Sequence, residues 1–128
     1  MSEVIPAADR ITIYQKPTCT TCRQVYKALQ EAGADFDAID YFVEPIPKSK
    51  MKELLSKMGI HPRDLLRTNE PVYRELGLNT KEYSEGELID LMCEHPDLIQ
   101  RPIVEKGKKA IVARPAARLN VIFEEAQS

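Results

Sequence analysis

The sequence predicts an α/β fold in which a βαβ half and a ββα half flank a helical insertion. Three observations predict it. A short apolar strand at 11–14 leads into a helix-period stripe, Val25, Ala28, Leu29 and Ala32, and then into a second apolar run at 36–42. Two strands joined through a helix run parallel. Towards the other end, Arg101-Pro102-Ile103-Val104 and Ala110-Ile111-Val112 flank Gly107, the pattern of a tight hairpin, and a last helix follows. Between the halves, the apolar residues fall at helical spacing.

Taken in order, residues 1–9 show no periodicity and read as a flexible N-terminal extension to a single domain spanning 10–128. Gly33 ends the first helix. Pro45 and Pro47 punctuate a loop after the second strand. Met51, Leu54, Leu55 and Met58 keep the i, i+3, i+4, i+7 spacing of an amphipathic helix. Short helical pieces follow at 62–66 and 71–76. Ser84-Glu85-Gly86-Glu87 has the form of a capping box and opens a helix through Leu88, Leu91 and Met92. Pro115, at a first helical turn, starts the final helix through Leu119, Ile122 and Phe123. This order is the thioredoxin layout with helices inserted in its middle.

Composition bounds the function. The chain has 128 residues, of which 43% are apolar and 30% charged, with a net charge of −2. That balance argues against a nucleic-acid-coating surface. No apolar run approaches the roughly 20 residues that span a bilayer, so no membrane role is expected. Residues 1–10 lack the basic start and apolar core of a signal peptide. Three cysteines do not make a disulfide framework. A cytoplasmic protein with an active Cys-x-x-Cys is the expectation.

The chemistry concentrates in Lys16-Pro17-Thr18-Cys19-Thr20-Thr21-Cys22-Arg23, where strand turns into helix. A thiol there meets unsatisfied backbone N–H groups and the positive end of the helix dipole, and both favour thiolate. A zinc site would need two further ligands. Only Cys93, His61 and His95 remain, and Cys93 and His95, two apart, point to different helix faces. No metal is expected. Two inert buried thiols fit poorly with the helix start. A nucleophilic pair fits best, with Cys19 attacking and Cys22 resolving.

Three arginines extend the pattern: Arg67 in Leu65-Leu66-Arg67, Arg101 before Pro102, and Arg114 before Pro115. Further segments accompany them: Ile-Thr-Ile-Tyr at 11–14, Met58-Gly59-Ile60, Glu82 to Asp90, and His95-Pro96-x-Leu98-Ile99-x-Arg101-Pro102-Ile103-Val104. Together they resemble the ArsC family of glutaredoxin-coupled arsenate reductases and, more distantly, the Spx transcription adapters of the same fold. The resemblance runs from residue 11 to about 126. It implies a thioredoxin-like fold, Cys19 as nucleophile, and Arg67, Arg101 and Arg114 as an oxyanion cradle. It implies support from Gln15, Thr20 and Pro102, with a cis Arg101–Pro102 peptide beside the cysteine. No bound cofactor is implied; the reductant is glutathione or thioredoxin/glutaredoxin, with glutaredoxin or thioredoxin as partner.

Physics agrees with the cradle. Arginines stay charged, their planar forks match tetrahedral oxyanions, and they offset the repulsion between a thiolate and an anionic substrate. Two departures stand out. The best-known arsenate reductases have Ser where this chain has Cys22 and His where it has Gln15. Gln15 supplies no positive charge, and Cys22 offers an internal resolving thiol. Three functions follow as expectations. The first is reduction of arsenate to arsenite, resolved by Cys22 or glutathione. The alternatives are an Spx-like redox-sensing adapter that binds RNA polymerase, and a general thiol-disulfide oxidoreductase. The remaining candidates read as structural. Cys93 is expected in the core, His61 at a helix entry and His95 at a helix end, with Met51, Met58 and Met92 packed inside. Arg63, Arg74 and Arg118 are expected in surface ion pairs, and Lys106, Lys108 and Lys109 on a solvated hairpin.

Overall fold

A computed structural model describes residues 10–125; the expected extension at 1–9 lies outside the described residues. The described chain forms two compact units, residues 10–41 with 101–125, and Phe42–Gln100.

The first unit carries a four-stranded sheet in the order β2-β1-β3-β4. Strand β1 (Ile11–Gln15) pairs in parallel with β2 (Phe36–Asp40) and antiparallel with β3 (Ile103–Lys106), which pairs with β4 (Lys109–Val112). Helix α1 (Thr20–Glu31) makes the crossover between β1 and β2. The thioredoxin-like α/β order is therefore present. Alternation along the strands puts Ile11, Ile13 and Val104 on one face, where Val25 and Leu29 of α1 join Ile111, Ala113, Leu119 and Ile122 in one buried cluster. Tyr26 of α1 meets Phe36 edge-on, with ring centroids 5.2 Å apart, and ties α1 to the outer strand. On the opposite face, Tyr14 donates from its hydroxyl to Oε1 of the buried Glu105 at 3.1 Å.

Glycine closes α1 as expected. Gly33 takes φ 69°, its N–H donates to Gln30 O at 3.0 Å, and Ala34 N–H donates to Leu29 O at 3.2 Å. This is a Schellman ending, which Gly adopts without the Cβ penalty. At the hairpin, Gly107 takes φ 59° at the first of two turn residues, the left-handed position that both favoured two-residue turns require.

Strand limits differ from the sequence expectation for physical reasons. The second strand stops at Asp40 rather than 42, because its partner β1 ends at Gln15. Tyr41 N–H still reaches Gln15 O at 3.3 Å, but the chain then turns. The third strand begins at Ile103 rather than Arg101, because Pro102 has no N–H to give a ladder. It continues to Lys106 because the turn takes only Gly107 and Lys108. Pro115 does not occupy a first α-helical turn. It caps a 3-10 turn, Ala116–Leu119, and helix α5 (Asn120–Glu125) follows.

The second unit is helical. Helix α2 (Lys48–Met58) buries Met51, Leu54 and Leu55 and ends at Gly59, φ 67°. A 3-10 turn, Pro62–Leu65, is followed by α3 (Pro71–Glu75). His61 is the entry residue expected of it: its Nδ1 accepts from Arg63 N–H at 3.0 Å, while Asp64 Oδ2 accepts from His61 N–H at 3.3 Å. Helix α4 (Glu85–Glu94) opens on the expected capping box. Ser84 Oγ accepts from Glu87 N–H at 3.1 Å, and Glu87 Oε1 accepts from Ser84 N–H at 2.8 Å. Its buried stripe is Leu88, Ile89 and Met92. Cys93 lies at the margin of that stripe and is half-buried, not the core thiol expected. Met58 is likewise half-buried. Among the described residues Arg63 makes no ion pair; its Nη1 donates to Leu78 O at 2.8 Å, stitching the loop after α3. No helix of the described residues is long and apolar enough to cross a membrane.

Candidate active site

The site grows from the turn after β1. Cys19 N–H donates to Lys16 O at 2.9 Å, closing a four-residue turn with Pro17 second, where its fixed φ suits the bend. That turn delivers Cys19 to the N-cap of α1, in extended conformation (φ −81°, ψ 129°), with its carbonyl accepting from Arg23 N–H at 3.0 Å. Thr20 is the first helical residue and is exposed. The first turn of α1 holds no acidic residue, so no carboxylate of that turn competes with an anion for its N–H groups. Cys19 is half-buried; Cys22, one turn on, is 0% exposed.

This arrangement separates the two thiols in charge. Burial disfavours the Cys19 thiolate. The amide and thiol of Cys22 and the Arg101 guanidinium outweigh burial and bring the pKa from 9.0 down to about 7. Burial pushes Cys22 up to about 12, and the neighbouring Cys19 charge adds to it. At neutral pH one sulfur is substantially thiolate and its neighbour is a proton donor.

Arg101 is 7% exposed, and its Nε and Nη1 are buried. Burial opposes its charge, but the Tyr41 phenol and the Cys19 sulfur more than compensate, and it stays fully cationic. The Arg101–Pro102 peptide is cis, as expected, and so is Arg114–Pro115. Arg114 is exposed, and its Nη1 donates to Arg101 O at 3.4 Å. Gln15 is buried at the end of β1, just before the cysteine turn. Cys19, Cys22, Gln15, Thr20, Arg101, Pro102 and Arg114 all belong to the first unit. Arg67 belongs to the second: its N–H donates to Leu98 O at 2.7 Å, and its Nε pairs with Glu70 at 3.3 Å.

Sequence reasoning missed Tyr41. It is 1% exposed, its backbone is tied to Gln15, and its side chain hydrogen-bonds Arg101. The sequence signal was slight, a tyrosine closing an apolar run before a proline loop. The second unit holds a cavity of about 580 Å³ lined by Lys52, Leu55, His61, Glu85 and Ile89 among others, and no cysteine borders it. Among the described residues no cluster of three or more His, Cys, Asp or Glu side chains suits a metal ion.

A thioredoxin-like sheet with an acidic thiol at a helix start and a buried arginine beside it defines a protein built for thiolate chemistry. The ArsC family model matches residues 14–122, and the chain belongs to the ArsC family. It is 37% identical over 119 residues to the arsenate reductase of Acidiphilium multivorum, covering 93% of this chain and 84% of that one. The same identity and coverage hold for the arsenate reductase of Escherichia coli strain K12. Among solved structures, the arsenate reductase from Vibrio cholerae superposes with a TM-score of 0.84 at 31% identity, covering 88% of this chain and 97% of that one.

Proposed function

We propose that this protein reduces arsenate to arsenite, with Cys19 as the nucleophile. The observation that carries the reading is the thiolate-prone Cys19, with a pKa of about 7, against the buried Arg101. The similarity to arsenate reductases over most of the chain supports the choice of substrate. Arsenate, like phosphate, carries roughly one to two negative charges near neutral pH, so attack by a thiolate meets repulsion. Arg101 and Arg114, both in the first unit, neutralise it, each preorganised donor contributing about 3 kcal/mol to the transition state. Gln15, Thr20 and Pro102 shape the pocket around the sulfur.

Cys19 sulfur bonds to arsenic and an arsenate oxygen leaves as water. A second thiol, Cys22 or glutathione, then attacks the Cys19 sulfur. The sulfur–arsenic bond breaks, its electron pair stays on arsenic, and arsenite departs in the trivalent state. The disulfide left behind is reduced by glutathione with glutaredoxin, or by thioredoxin. The test incubates the purified protein with arsenate and either reductant system and measures arsenite. Arsenite formation that is lost in Cys19→Ser is expected. No arsenite with either system, together with retention of RNA polymerase, would replace the reading with the Spx-like adapter. Disulfide reduction without arsenite would point to the general oxidoreductase.

A further inference from the structure

The Cys19–Cys22 pair is suited to a second task that involves no electron transfer. Both thiols are free, and they stand at the N-cap and the third residue of α1, positions whose side chains meet across a helix start, close enough here to hydrogen-bond. No third His, Cys, Asp or Glu completes a metal cluster with them among the described residues. Among the described residues the site thus offers two sulfurs. That is too few for a structural zinc, which takes four ligands. It suits a soft, thiophilic centre that needs only two sulfurs and keeps one oxygen. Trivalent arsenic is such a centre.

We propose that Cys19 and Cys22 together chelate trivalent arsenic, making a dithiol binding site for arsenous acid. The half-buried Cys19 sets the order of events, since Cys22 is closed to solvent. The Cys19 thiolate displaces one hydroxide from arsenic, and that hydroxide takes a proton from solvent to become water. The Cys22 thiol then displaces a second hydroxyl, its own proton leaving on that group as a second water. Two arsenic–sulfur bonds form, two arsenic–oxygen bonds break, and one hydroxyl stays on arsenic. Arsenic remains trivalent throughout, so no oxidant or reductant enters. The second bond forms within one molecule, and the gain in affinity is that of a linked pair rather than of two separate thiols.

The inference does not rest on arsenate turnover. A protein that never reduces arsenate can still hold arsenous acid in this way, and a working reductase can rebind its product once the disulfide left on Cys19 has been reduced. The experiment uses the reduced full chain and sodium arsenite alone, with intact-protein mass spectrometry and titration of the surviving thiols by iodoacetamide. One arsenic per chain is expected, with the mass of arsenous acid less two waters, the second lost water reporting Cys22, and with Cys19 protected from iodoacetamide. Cys22→Ser should weaken binding by about a hundredfold or more and leave an adduct that has lost one water only. Cys93→Ser should change neither result. Equal affinity in Cys22→Ser, or arsenic that follows Cys93, would overturn the proposal. Arsenite formation from arsenate, measured separately, reports on the reductase reading alone.

Discussion

The charge on Cys19 yields a prediction with a built-in reversal. With a pKa of about 7 rather than 9.0, about half of the sulfur is thiolate at pH 7, against about one part in a hundred for an ordinary thiol. Availability therefore rises roughly fiftyfold. Nucleophilicity falls with basicity, with a Brønsted slope of about 0.45, and two pKa units cost each thiolate roughly eightfold. The net expectation at pH 7 is an alkylation rate about sixfold above that of an unperturbed thiol. Above pH 9 both thiols are ionised and Cys19 becomes the slower, by roughly eightfold. The assay is the rate of Cys19 alkylation by iodoacetamide across pH 5 to 10 in a Cys93→Ser background, beside a model thiol. Iodoacetamide is neutral, so its own titration does not enter. Arg101→Met should move the midpoint part of the way back toward 9.0, because the Cys22 amide and thiol still stabilise the thiolate. A wild-type midpoint near 9 with no crossing of the two curves would refute the reasoning.

Further outcomes follow from single contacts. Arg101→Ala should lower kcat/KM for arsenate by about a hundredfold to a thousandfold, the usual loss for one preorganised donor, measured by arsenite release. Cys19→Ser should leave Cys22 nearly inert to iodoacetamide at pH 8: removing the neighbouring charge eases its pKa, but burial, the larger cause, stays. Ser84→Ala should cost about 1 kcal/mol in urea unfolding, since it leaves Glu87 N–H without its cap. Leu29→Ala, in the buried cluster between α1 and the sheet, should cost about 3 kcal/mol and lower the urea midpoint with little change in slope.

The elements whose signals are local were legible in the sequence. Ser84 and Glu87 announce α4 because both halves of a capping box lie within four residues, and Gly33 marks the end of α1 because the left-handed position follows directly from the helix. Strand limits were less legible, because a strand ends where its partner does. The stop at Asp40 is set by the end of β1 at Gln15, more than twenty residues earlier. The same distinction runs through the site. Cys19 is legible because the helix end that activates it is its own. Tyr41 is not, because its reason for being there is Arg101, sixty residues on. Arg63 misled for a related cause: its partners are backbone carbonyls of the loop after α3, which carry no residue signature.

The two thiols differ because one turn of helix places them in different solvents. The turn at 16–19 ends with Cys19 at the N-cap, outside the helix proper, where its half-buried sulfur lies beside the Cys22 amide. Cys22 is the third helical residue and belongs to the face that also carries Val25 and Leu29 into the core. The same periodicity that packs α1 against the sheet therefore keeps one sulfur protonated and leaves the other ionised. Acid and nucleophile become a consequence of register. Starting the helix one residue earlier would carry Cys19 into the first turn, away from the N-cap, while Cys22 stayed in phase with Val25 and Leu29, so the strand and the Pro17 turn hold the nucleophile in place and the core stripe holds the acid.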